Sequence, residues 1–341
     1  MRRLLFLVMM SVMVLSLVSC QHMLERTVQK TLNRQTVEML TDDKLHVILV
    51  GTGGPMHNTE RISSCTAVIA GGEFLLVDVG PGSIRNADLQ NLPLGALSGV
   101  FLTHFHSDHI ADLGEANFQS WANGRQKKLE VYGPEGVEKV VQGFTQAYEL
   151  DTQYRIAHHG EAVMPSDAAR PVAKQISFPN PDKAELIFER NGLKVSAFLV
   201  DHFPVKPAVG YRFEYRGNIV VLTGDTRKID ALAKQAKDAD ILVCEALSSK
   251  NTALIAKVAA ENNRPRIAKI FQDIPDYHMT PVQAAEVARE AGVKKLVLHH
   301  IVPPVTNLVV KRMFMDGVSD VYKGDIVLGE DGMIFTIDPK K

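Results

Sequence analysis

The sequence predicts one α/β domain in which helices cover paired β-sheets, and two observations lead to that prediction. In the first half, short β-branched runs are separated by Gly-rich turns, which is typical of hairpins. In the second half, strand-like runs alternate with helical segments, which favours strand–helix units around a shared core. The 341 residues are 45% apolar and 23% charged, which are ordinary values for a soluble globular protein.

The first half contains most of the predicted hairpin structure. Its strand-like runs are residues 45–50, 66–70, 73–79 and 99–103. The first run stops at the Gly-rich turn 51–55, and the next two flank Gly71-Gly72, which indicates a hairpin. Residues 135–148 have helical spacing. Residues 149–177 are irregular and contain prolines, which predicts a loop long enough to be a lid or a binding segment.

The second half shows the strand–helix alternation. Its strand-like runs are residues 185–189, 193–200, 209–215, 218–222, 241–244 and 295–299. Residues 228–236 and 281–291 have helical spacing and separate the later strands. Residues 326–328 and 333–337, joined across 330–332, predict a closing hairpin.

Residues 1–19 predict a secretory signal of the lipoprotein type. A charged start precedes an apolar run that is short for a bilayer-spanning helix. The run ends at Ser19-Cys20, which resembles the lipobox of bacterial lipoproteins. Cys20 would then become the new N-terminus and carry the lipid anchor. Residues 20–43 are then a tether and 44–341 the catalytic domain. The alternative is an uncleaved single-pass anchor, and both predict export to the periplasmic face of a bacterial membrane.

Charge and cysteine content bear on the partners. Lys+Arg is 38 and Asp+Glu is 39, a formal net charge of −1, whereas proteins that bind nucleic acid usually carry a basic excess or patch. We therefore expect a small-molecule ester substrate, membrane contact through lipidated Cys20 and no nucleic-acid partner, with a homodimer left open. Cys65 and Cys244 form either a disulfide or two free buried thiols.

Residues 103–109, Thr-His-Phe-His-Ser-Asp-His, form the central motif. They read H-x-H-x-D-H directly after a predicted buried strand, and this set of imidazoles and a carboxylate suits zinc. In an extended segment His104 and His106 point the same way and can share one ion. Asp108 and His109 can face a second position once the chain turns. A chance surface cluster is a poor alternative, because such dense histidines beside a hydrophobic strand need partners.

Further ligands are expected just past other strand ends, because four ligands cannot complete two sites. His202, Asp225 and His300 each follow the end of a strand-like run, and His299 is the rival of His300. Each of these residues, taken alone, could be a solvated loop residue. Their shared position just past a strand end favours the interpretation that they are ligands. We expect His158-His159 to be a solvated pair, and Arg227 to form an ion pair behind the ligands.

These motifs resemble the metallo-β-lactamase superfamily, most closely the branch with RNase Z and the related arylsulfatases and phosphodiesterases. The similar parts are H-x-H-x-D-H, the opening turn 51–55, the second motif 75–80, the Gly-Tyr-Arg at 210–212 and the Gly-Asp-Thr-Arg at 224–227. The resemblance extends over residues 45–337. It implies a four-layer αββα sandwich.

The resemblance also implies a role for each site residue. One ion would be held by His104, His106 and His202, the other by Asp108, His109 and His300, with Asp225 bridging both and Asp78 supporting the site without binding metal. The expected cofactors are two divalent cations, zinc ahead of manganese or iron. A mononuclear iron oxygenase on the same fold is disfavoured by the number of ligand candidates.

A second catalytic element is expected from two loops. Residues 277–281 are similar to the His-Ser-Thr loop of RNase Z, with Met279 in place of Ser, and residues 244–247 resemble its His-Glu-Ala-Thr loop, with Cys in place of His. The resemblance implies that His278 stabilises charge on the ester or protonates the leaving oxygen, while Glu245 orients it.

A simpler interpretation is that the first of these loops only precedes a helix that Thr280 caps before Pro281. Both interpretations can hold together. The residues predicted to be catalytic are His278, Glu245 and Asp108.

These features predict a hydrolase in which metal-activated hydroxide cleaves a phosphodiester or sulfate ester. RNase Z carries a long arm for tRNA between its Gly-Tyr-Arg and Gly-Asp-Thr-Arg strands, whereas only a short turn at Arg216-Gly217 separates Tyr211 from Asp225 here. That difference and the predicted export favour a small ester over tRNA. The alternatives are a tRNA 3′-end endoribonuclease of the RNase Z type, a lactonase and a non-catalytic metal-binding lipoprotein.

Overall fold

The computed structural model describes residues 21–29 and 37–340. Residues 21–29 form an exposed helix, and a 3₁₀ helix at Val37–Leu40 precedes the first strand. The predicted signal and the lipidation site at Cys20 lie outside the described residues and stay predictions. Within the described part of the chain, no helix combines the length and the apolar character needed to cross a bilayer.

Two seven-stranded sheets form the centre of the domain. From edge to edge, the first sheet contains β14 (Ile334–Ile337), β1 (Leu45–Gly51), β2 (Cys65–Ala70), β3 (Glu73–Val77), β4 (Leu97–Phe101), β5 (Glu130–Gly133) and β6 (Val172–Gln175). The second contains β7 (Glu185–Arg190), β8 (Leu193–His202), β9 (Val205–Tyr215), β10 (Asn218–Leu222), β11 (Ile241–Leu247), β12 (Lys295–Val302) and β13 (Asp325–Leu328). In both sheets, antiparallel pairings on one side give way to parallel pairings on the other. Both sheets are therefore mixed and repeat one arrangement.

Apolar side chains alternate between the two faces of the central strands, because successive residues of a strand point to opposite faces. In β1, Val47 and Leu49 pack against residues of the second sheet, whereas Ile48 and Val50 pack under the helices of the first sheet. β11 shows the same alternation, with Val243 between the sheets and Leu242 under the other helices. Each sheet thus buries both faces.

Helices cover the outer face of each sheet. The helices packed on the first sheet are Ser83–Leu89, Leu113–Ala122 and Val137–Ala147, and those on the second are Asp230–Gln235, Pro281–Ala291, Leu308–Phe314 and Val318–Val321. The other described helices are Ser107–Ile110, Glu149–His159, Ser166–Ala169, Ser249–Glu261 and Pro265–Asp273, with short 3₁₀ turns at Leu94–Ala96 and Ile274–Tyr277. The layers follow the order helix, sheet, sheet, helix, which confirms the predicted α/β sandwich.

The segment 149–177 is not the irregular loop that we expected. It contains the helices Glu149–His159 and Ser166–Ala169 and then the edge strand β6. The first helix has acidic residues in its first turn and histidines in its last turn, a charge order that favours a helix. None of its residues is buried, so it lacks the apolar periodicity by which a helix is recognised in sequence.

The predicted closing hairpin is also wrong. β13 pairs parallel with β12, and β14 pairs antiparallel with β1, so the two strands belong to different sheets. The connection between them crosses the domain, with the Gly329 amide donating to Leu298 and the Gly332 amide donating to Leu49. Local spacing predicts that two strands are neighbours in sequence but not which sheet edge each one joins.

Asp331 holds that connection against the turn after β1. Its Oδ1 accepts from the Thr52 amide at 2.8 Å and the Thr52 hydroxyl at 2.7 Å, and its Oδ2 accepts from the Ile62 amide at 2.7 Å. The carbonyl of Thr52 in turn accepts from the Ile301 amide at 2.8 Å. Because Ile301 directly follows His300, the carboxylate of Asp331 helps to fix the end of β12.

Replacing Asp331 with Ala should lower the free energy of unfolding by about 2 kcal/mol, because buried amides lose their acceptor. Urea denaturation followed by circular dichroism measures this change. Asp338→Ala is the control, since the exposed Asp338 pairs with Lys44 on the surface, where ion pairs contribute roughly 0–1 kcal/mol. Equal destabilisation by the two variants would contradict the anchoring role of Asp331.

Candidate metal centre and active site

The candidate site lies where strands of both sheets end. The H-x-H-x-D-H motif follows β4 of the first sheet, whereas His202, Asp225 and His300 come from the ends of β8, β10 and β12 of the second. β8, β10 and β12 run in one direction, because β9 is antiparallel to both of its neighbours and β10 to β12 are parallel. Their carboxyl ends therefore meet at one edge, where ligands bind in open α/β sheets.

The motif itself changes conformation at its middle. His104 and His106 are on extended chain, and a short helix then begins at Ser107, with His106 at its N-cap position and Asp108 and His109 in its first turn. His104, Asp108 and His109 are buried, whereas His106 is exposed. The turn separates the first pair of side chains from the second, as the spacing of the motif predicts.

The structure brings the predicted ligands together in two groups of three. His104, His106 and His202 form one group, and Asp108, His109 and His300 form the other. Within each group, the potential ligand atoms lie within 4.8 Å of one another. These are the sets that the resemblance implied for two ions, and their roles as ligands stay predictions.

Asp225 lies between the two groups. Its Oδ2 is 3.4 Å from Nε2 of His109, 3.4 Å from Nε2 of His300 and 3.9 Å from Nε2 of His202. It also forms a ligand-like group with His104 and His109. A carboxylate in this position can contact both halves of the cluster, which fits a bridging ligand.

Unsatisfied buried atoms test whether the cluster suits a metal. Among the described residues, no hydrogen-bond partner reaches Nε2 of His104, Nε2 of His109 or Oδ1 of Asp225, although all three atoms are buried. Buried polar atoms without partners are rare in proteins and need an explanation. Nitrogen and carboxylate donors directed at one place are the ligands that zinc-like divalent cations take, so the residues fit such ions.

The protonation of three members of the cluster agrees with metal binding. His109 would have to lose a proton first, because burial, which lowers its pKa, is outweighed by Asp225 and Asp78, which hold that pKa well above the usual value. Burial lowers the pKa of His202 to about 4 and that of His104 well below its usual value, so both imidazoles are neutral. Burial alone raises the pKa of Asp108, but its hydrogen bond and charge interactions with His300 and His109 lower it to about 2. Neutral imidazole and ionised carboxylate are the forms that bind metal.

Asp78 supports the motif from the end of β3. Its carboxylate accepts from Nδ1 of His109 at 2.8 Å, from the Thr103 amide at 2.8 Å and from the Thr103 hydroxyl at 2.9 Å. The bond to Nδ1 directs Nε2 of His109 toward the cluster. Such carboxylate–imidazole contacts orient metal ligands in many proteins, and Asp78 matches the supporting role that the resemblance implied.

A bulge in β12 selects His300 rather than His299. Glu245 of β11 pairs with His299 and Ala246 pairs with Ile301, so His300 is the extra residue, with φ 47°. A bulge residue in left-handed conformation re-aims its side chain. Nε2 of His300 is 3.2 Å from Oδ2 of Asp108. Nε2 of His299 lies 3.3 Å from the hydroxyl of Thr66, and among the described residues His299 belongs to none of the ligand-like groups.

His278 and Glu245 form the predicted second element beside the cluster. Nδ1 of His278 lies 3.0 Å from both carboxylate oxygens of Glu245, and the Thr226 amide donates to the same carboxylate at 2.7 Å. Burial alone lowers the pKa of His278, but the charge of Glu245 and the hydrogen bond to it raise that pKa to about 9. His278 is therefore protonated at neutral pH.

The interpretation of the 277–281 loop as a helix start is also consistent with the structure. Thr280 accepts from the Gln283 amide at 3.2 Å, and the Gln283 side chain accepts from the Thr280 amide at 2.9 Å, which is a capping box. Met279 is fully buried. The cap fixes the chain next to His278, so the two roles are compatible.

Other singled-out residues lie elsewhere. His158 and His159 are exposed at the end of the helix Glu149–His159, and Arg227 pairs with Asp201. Cys65 and Cys244 are free, buried thiols on different sheets. Sequence reasoning missed Tyr277, whose carbonyl accepts from Nδ1 of His202 at 3.0 Å. Its position next to His278 was the available signal.

Comparison with known proteins identifies the family. The family described as "Beta-lactamase superfamily domain" matches residues 74–301. Ribonuclease Z of Mycobacterium bovis (strain BCG / Pasteur 1173P2) is 35% identical over 264 residues, which are 76% of this chain and 87% of that protein. The chain belongs to the metallo-β-lactamase superfamily, in its RNase Z branch. Ribonuclease Z of Mycolicibacterium gilvum (strain PYR-GCK) is also 35% identical, over 76% of this chain and 85% of that protein.

Solved structures of superfamily members share the fold. The short form of human tRNase Z gives a TM-score of 0.61 at 23% identity, over 86% of this chain and 99% of that one. The metallo-β-lactamase fold protein YhfI from Bacillus subtilis gives 0.61 at 19% identity, over 86% and 100%. Membership of this superfamily makes the chain a metal-dependent hydrolase and implies divalent metal ions. The cluster brings together residues that could hold such ions.

The expectation of a small-molecule ester substrate and no nucleic-acid partner is wrong. The curated relatives described above match most of this chain and are named Ribonuclease Z, a name that gives RNA as their substrate. The formal net charge of −1 misled us because it sums the whole surface and does not report the local field at a site. The absence of the tRNA arm also led to the wrong expectation about the substrate. Such an arm contacts RNA at a distance from the reacting centre, and its absence leaves that centre intact.

Replacing Asp225 with Ala should lower the metal content of the purified protein by at least half, because both halves of the cluster lose a shared carboxylate. Inductively coupled plasma mass spectrometry measures bound metal, and circular dichroism checks folding. Asp316→Ala is the control, since Asp316 pairs with Lys250 on the surface. Full metal content in a folded Asp225→Ala protein would rule out the bridging role.

Proposed function

We propose that this chain is an endoribonuclease of the RNase Z type that cleaves precursor tRNA at a phosphodiester bond, with two zinc-like divalent cations at the cluster. One observation carries the proposal. The relatives named Ribonuclease Z match over most of their length, and this chain keeps both groups of ligand-like residues together with the His278–Glu245 pair.

The reaction we propose is hydrolysis by direct displacement at phosphorus. Water oxygen bonds to phosphorus, the bond from phosphorus to the leaving oxygen breaks, and one product ends in a phosphate and the other in a hydroxyl. Divalent cations, if held by the residues of this cluster, would polarise the phosphate and lower the pKa of water toward neutrality. The reaction also requires a proton donor for the leaving oxygen.

His278 is suited to provide that proton. Its Nδ1 donates to Glu245 at 3.0 Å, which leaves Nε2 for the substrate. Because its pKa is raised to about 9, the imidazolium is present at neutral pH and can donate as a general acid. It also lies among the cluster residues, with Nδ1 4.0 Å from Oδ2 of Asp225, so it can reach a phosphate there.

Glu245 acts through His278. Its carboxylate is buried at 3% exposure and is held by the Thr226 amide directly after Asp225. Holding Glu245 from the Asp225 loop fixes the position of the acid relative to the cluster. This coupling of the proton donor to the metal-binding loop is what a positioned general acid requires.

The β9–β10 connection lacks the tRNA arm that RNase Z carries there, as the short sequence between Tyr211 and Asp225 predicts. Arg216 and Gly217 join these strands with φ values of 49° and 77°, a two-residue turn in which both central residues are left-handed. Substrate contacts must therefore come from elsewhere on the chain. The absence affects how RNA is held and does not affect the proposed chemistry.

The purified full chain should cleave an unmodified precursor tRNA, and removal of its metals with a chelator should abolish that activity. Gel electrophoresis of end-labelled RNA measures the cleavage, and restoring zinc or manganese after dialysis should restore it. The same preparation is tested on nitrophenyl sulfate and on lactones. Turnover of either of these with no cleavage of RNA would overturn the proposal.

His278→Ala should slow RNA cleavage roughly 100- to 10,000-fold, the range by which positioned general acids accelerate reactions, while metal content stays unchanged. Glu245→Gln should slow cleavage less, because His278 remains but loses its charged partner. Single-turnover rates and metal analysis on the same samples separate the two effects. Loss of metal from His278→Ala would show that His278 is a ligand and not the proton donor.

A further inference from the structure

We propose that Phe203 and Lys206 form a platform on which a base of single-stranded RNA stacks beside the reacting phosphate, an inference that rests on the proposed function. Phe203 directly follows His202, a member of the first ligand group. Its side chain is nevertheless 56% exposed. An aromatic ring left in water next to a catalytic cluster gains by being covered when substrate binds.

The neighbouring cation adds the second half of the platform. Nζ of Lys206 lies 4.9 Å from the centroid of the Phe203 ring, and both side chains are exposed. Recognition of single-stranded RNA combines aromatic rings that stack on unpaired bases with cations that contact the backbone. The tip of the β8–β9 hairpin, where His202 pairs with Val205, carries both groups within a few residues.

This hairpin tip is held in place, so the ring is presented at a defined position. Asp201 accepts from the Phe203 amide at 3.3 Å and forms an ion pair with Arg227. The backbone of Asp201 is also bonded to the loop after Asp225, through its amide to the Thr226 hydroxyl at 3.1 Å and its carbonyl to the Arg227 amide at 2.8 Å. The platform is thus fixed relative to the bridging carboxylate.

A cleft lies beside the proton donor, and one of its lining residues, Asp201, accepts from the Phe203 amide. It has a volume of about 500 Å³ and is lined by Asp201, Arg227, Lys228, His278 and Thr280, among others. A volume in this range accommodates a small-molecule-sized group such as a nucleotide. An RNA strand crossing the cluster could therefore place one nucleotide in the cleft and stack a neighbouring base on Phe203.

The short β9–β10 turn explains why this chain would need such a platform. Because no inserted arm extends from that turn, RNA contacts have to lie closer to the cluster. Phe203 and Lys206 are exposed side chains on the hairpin that ends in a ligand-group residue. Stacking tolerates any base, so the platform would orient the strand without reading its sequence.

Fluorescence of an introduced indole tests stacking directly. The chain has one tryptophan, Trp121, which is 1% exposed and serves as a constant background. The Phe203→Trp, His278→Ala double variant is titrated with a single-stranded RNA oligonucleotide and with the same strand carrying an abasic ribose at each position in turn. His278→Ala keeps the RNA intact during the titration. We expect strong quenching that is lost with one abasic position.

Leu186→Trp is the matched control. Leu186 is 53% exposed, close to the exposure of Phe203, and pairs with Ser196 at the far end of β8 from His202. Its introduced indole should not be quenched when the same RNA binds. Equal quenching of the Phe203→Trp indole by every abasic strand, or none when anisotropy shows saturation, would overturn the platform.

Kinetics separate this inference from the proposed function. Phe203→Ala should raise KM for RNA roughly 10-fold, leave hydrolysis of bis-nitrophenyl phosphate unchanged, and be rescued by Phe203→Tyr. Lys206→Ala should raise KM less and weaken its dependence on salt. RNA cleavage with unchanged KM in Phe203→Ala overturns the platform alone. Base-dependent quenching with no RNA cleavage by the unmodified chain overturns the proposed endoribonuclease and leaves the platform standing.

Discussion

The carboxylate of Asp225, buried among imidazoles, is the interaction on which the site depends. Burial alone raises its pKa, but the positive charge of His300 and His109 nearby lowers that pKa well below the usual value. An ionised carboxylate excluded from water needs such compensation, since its desolvation is costly. The ligand groups from both sheets provide it only when the two sheets are packed face to face, so the sandwich and the cluster support each other.

Several residues around the cluster hold its imidazole and carboxylate side chains in position. Asp78 holds His109, the Tyr277 carbonyl holds His202, and the bulge of β12 aims His300. The Thr226 amide links the Asp225 loop to Glu245, which in turn holds His278. Most of these supports lie near the ends of strands, whereas Tyr277 ends the 3₁₀ turn Ile274–Tyr277. The geometry of the cluster therefore depends largely on the edge where the strands of the two sheets end.

Substrate selection belongs to the less constrained rim. Most residues of the cluster and its supports are buried, although His106 is exposed and Tyr277 and His278 are half-buried. Phe203, Lys206 and the cleft beside His278 are open to solvent. Side chains at such positions can change without disturbing the core, and functional variation concentrates there for that reason. A chain can thus keep the hydrolytic centre of its relatives while holding its substrate through different contacts. The absence of the arm at the β9–β10 turn is consistent with this division.

The sequence by itself determined the fold class, most strand ends and the set of residues that come together in the cluster, because a dense histidine motif and alternating apolar runs are local patterns; the roles of these residues as ligands stay predictions. It also determined the pairing of His278 with Glu245 by resemblance. The resemblance already favoured His300 over His299, but only the tertiary structure gave the physical reason, a bulge that depends on the register against β11. Only it assigned β13 and β14 to different sheets and showed a helix at Glu149–His159. Register, sheet edges and sparsely buried helices depend on contacts between distant residues, which no local pattern records.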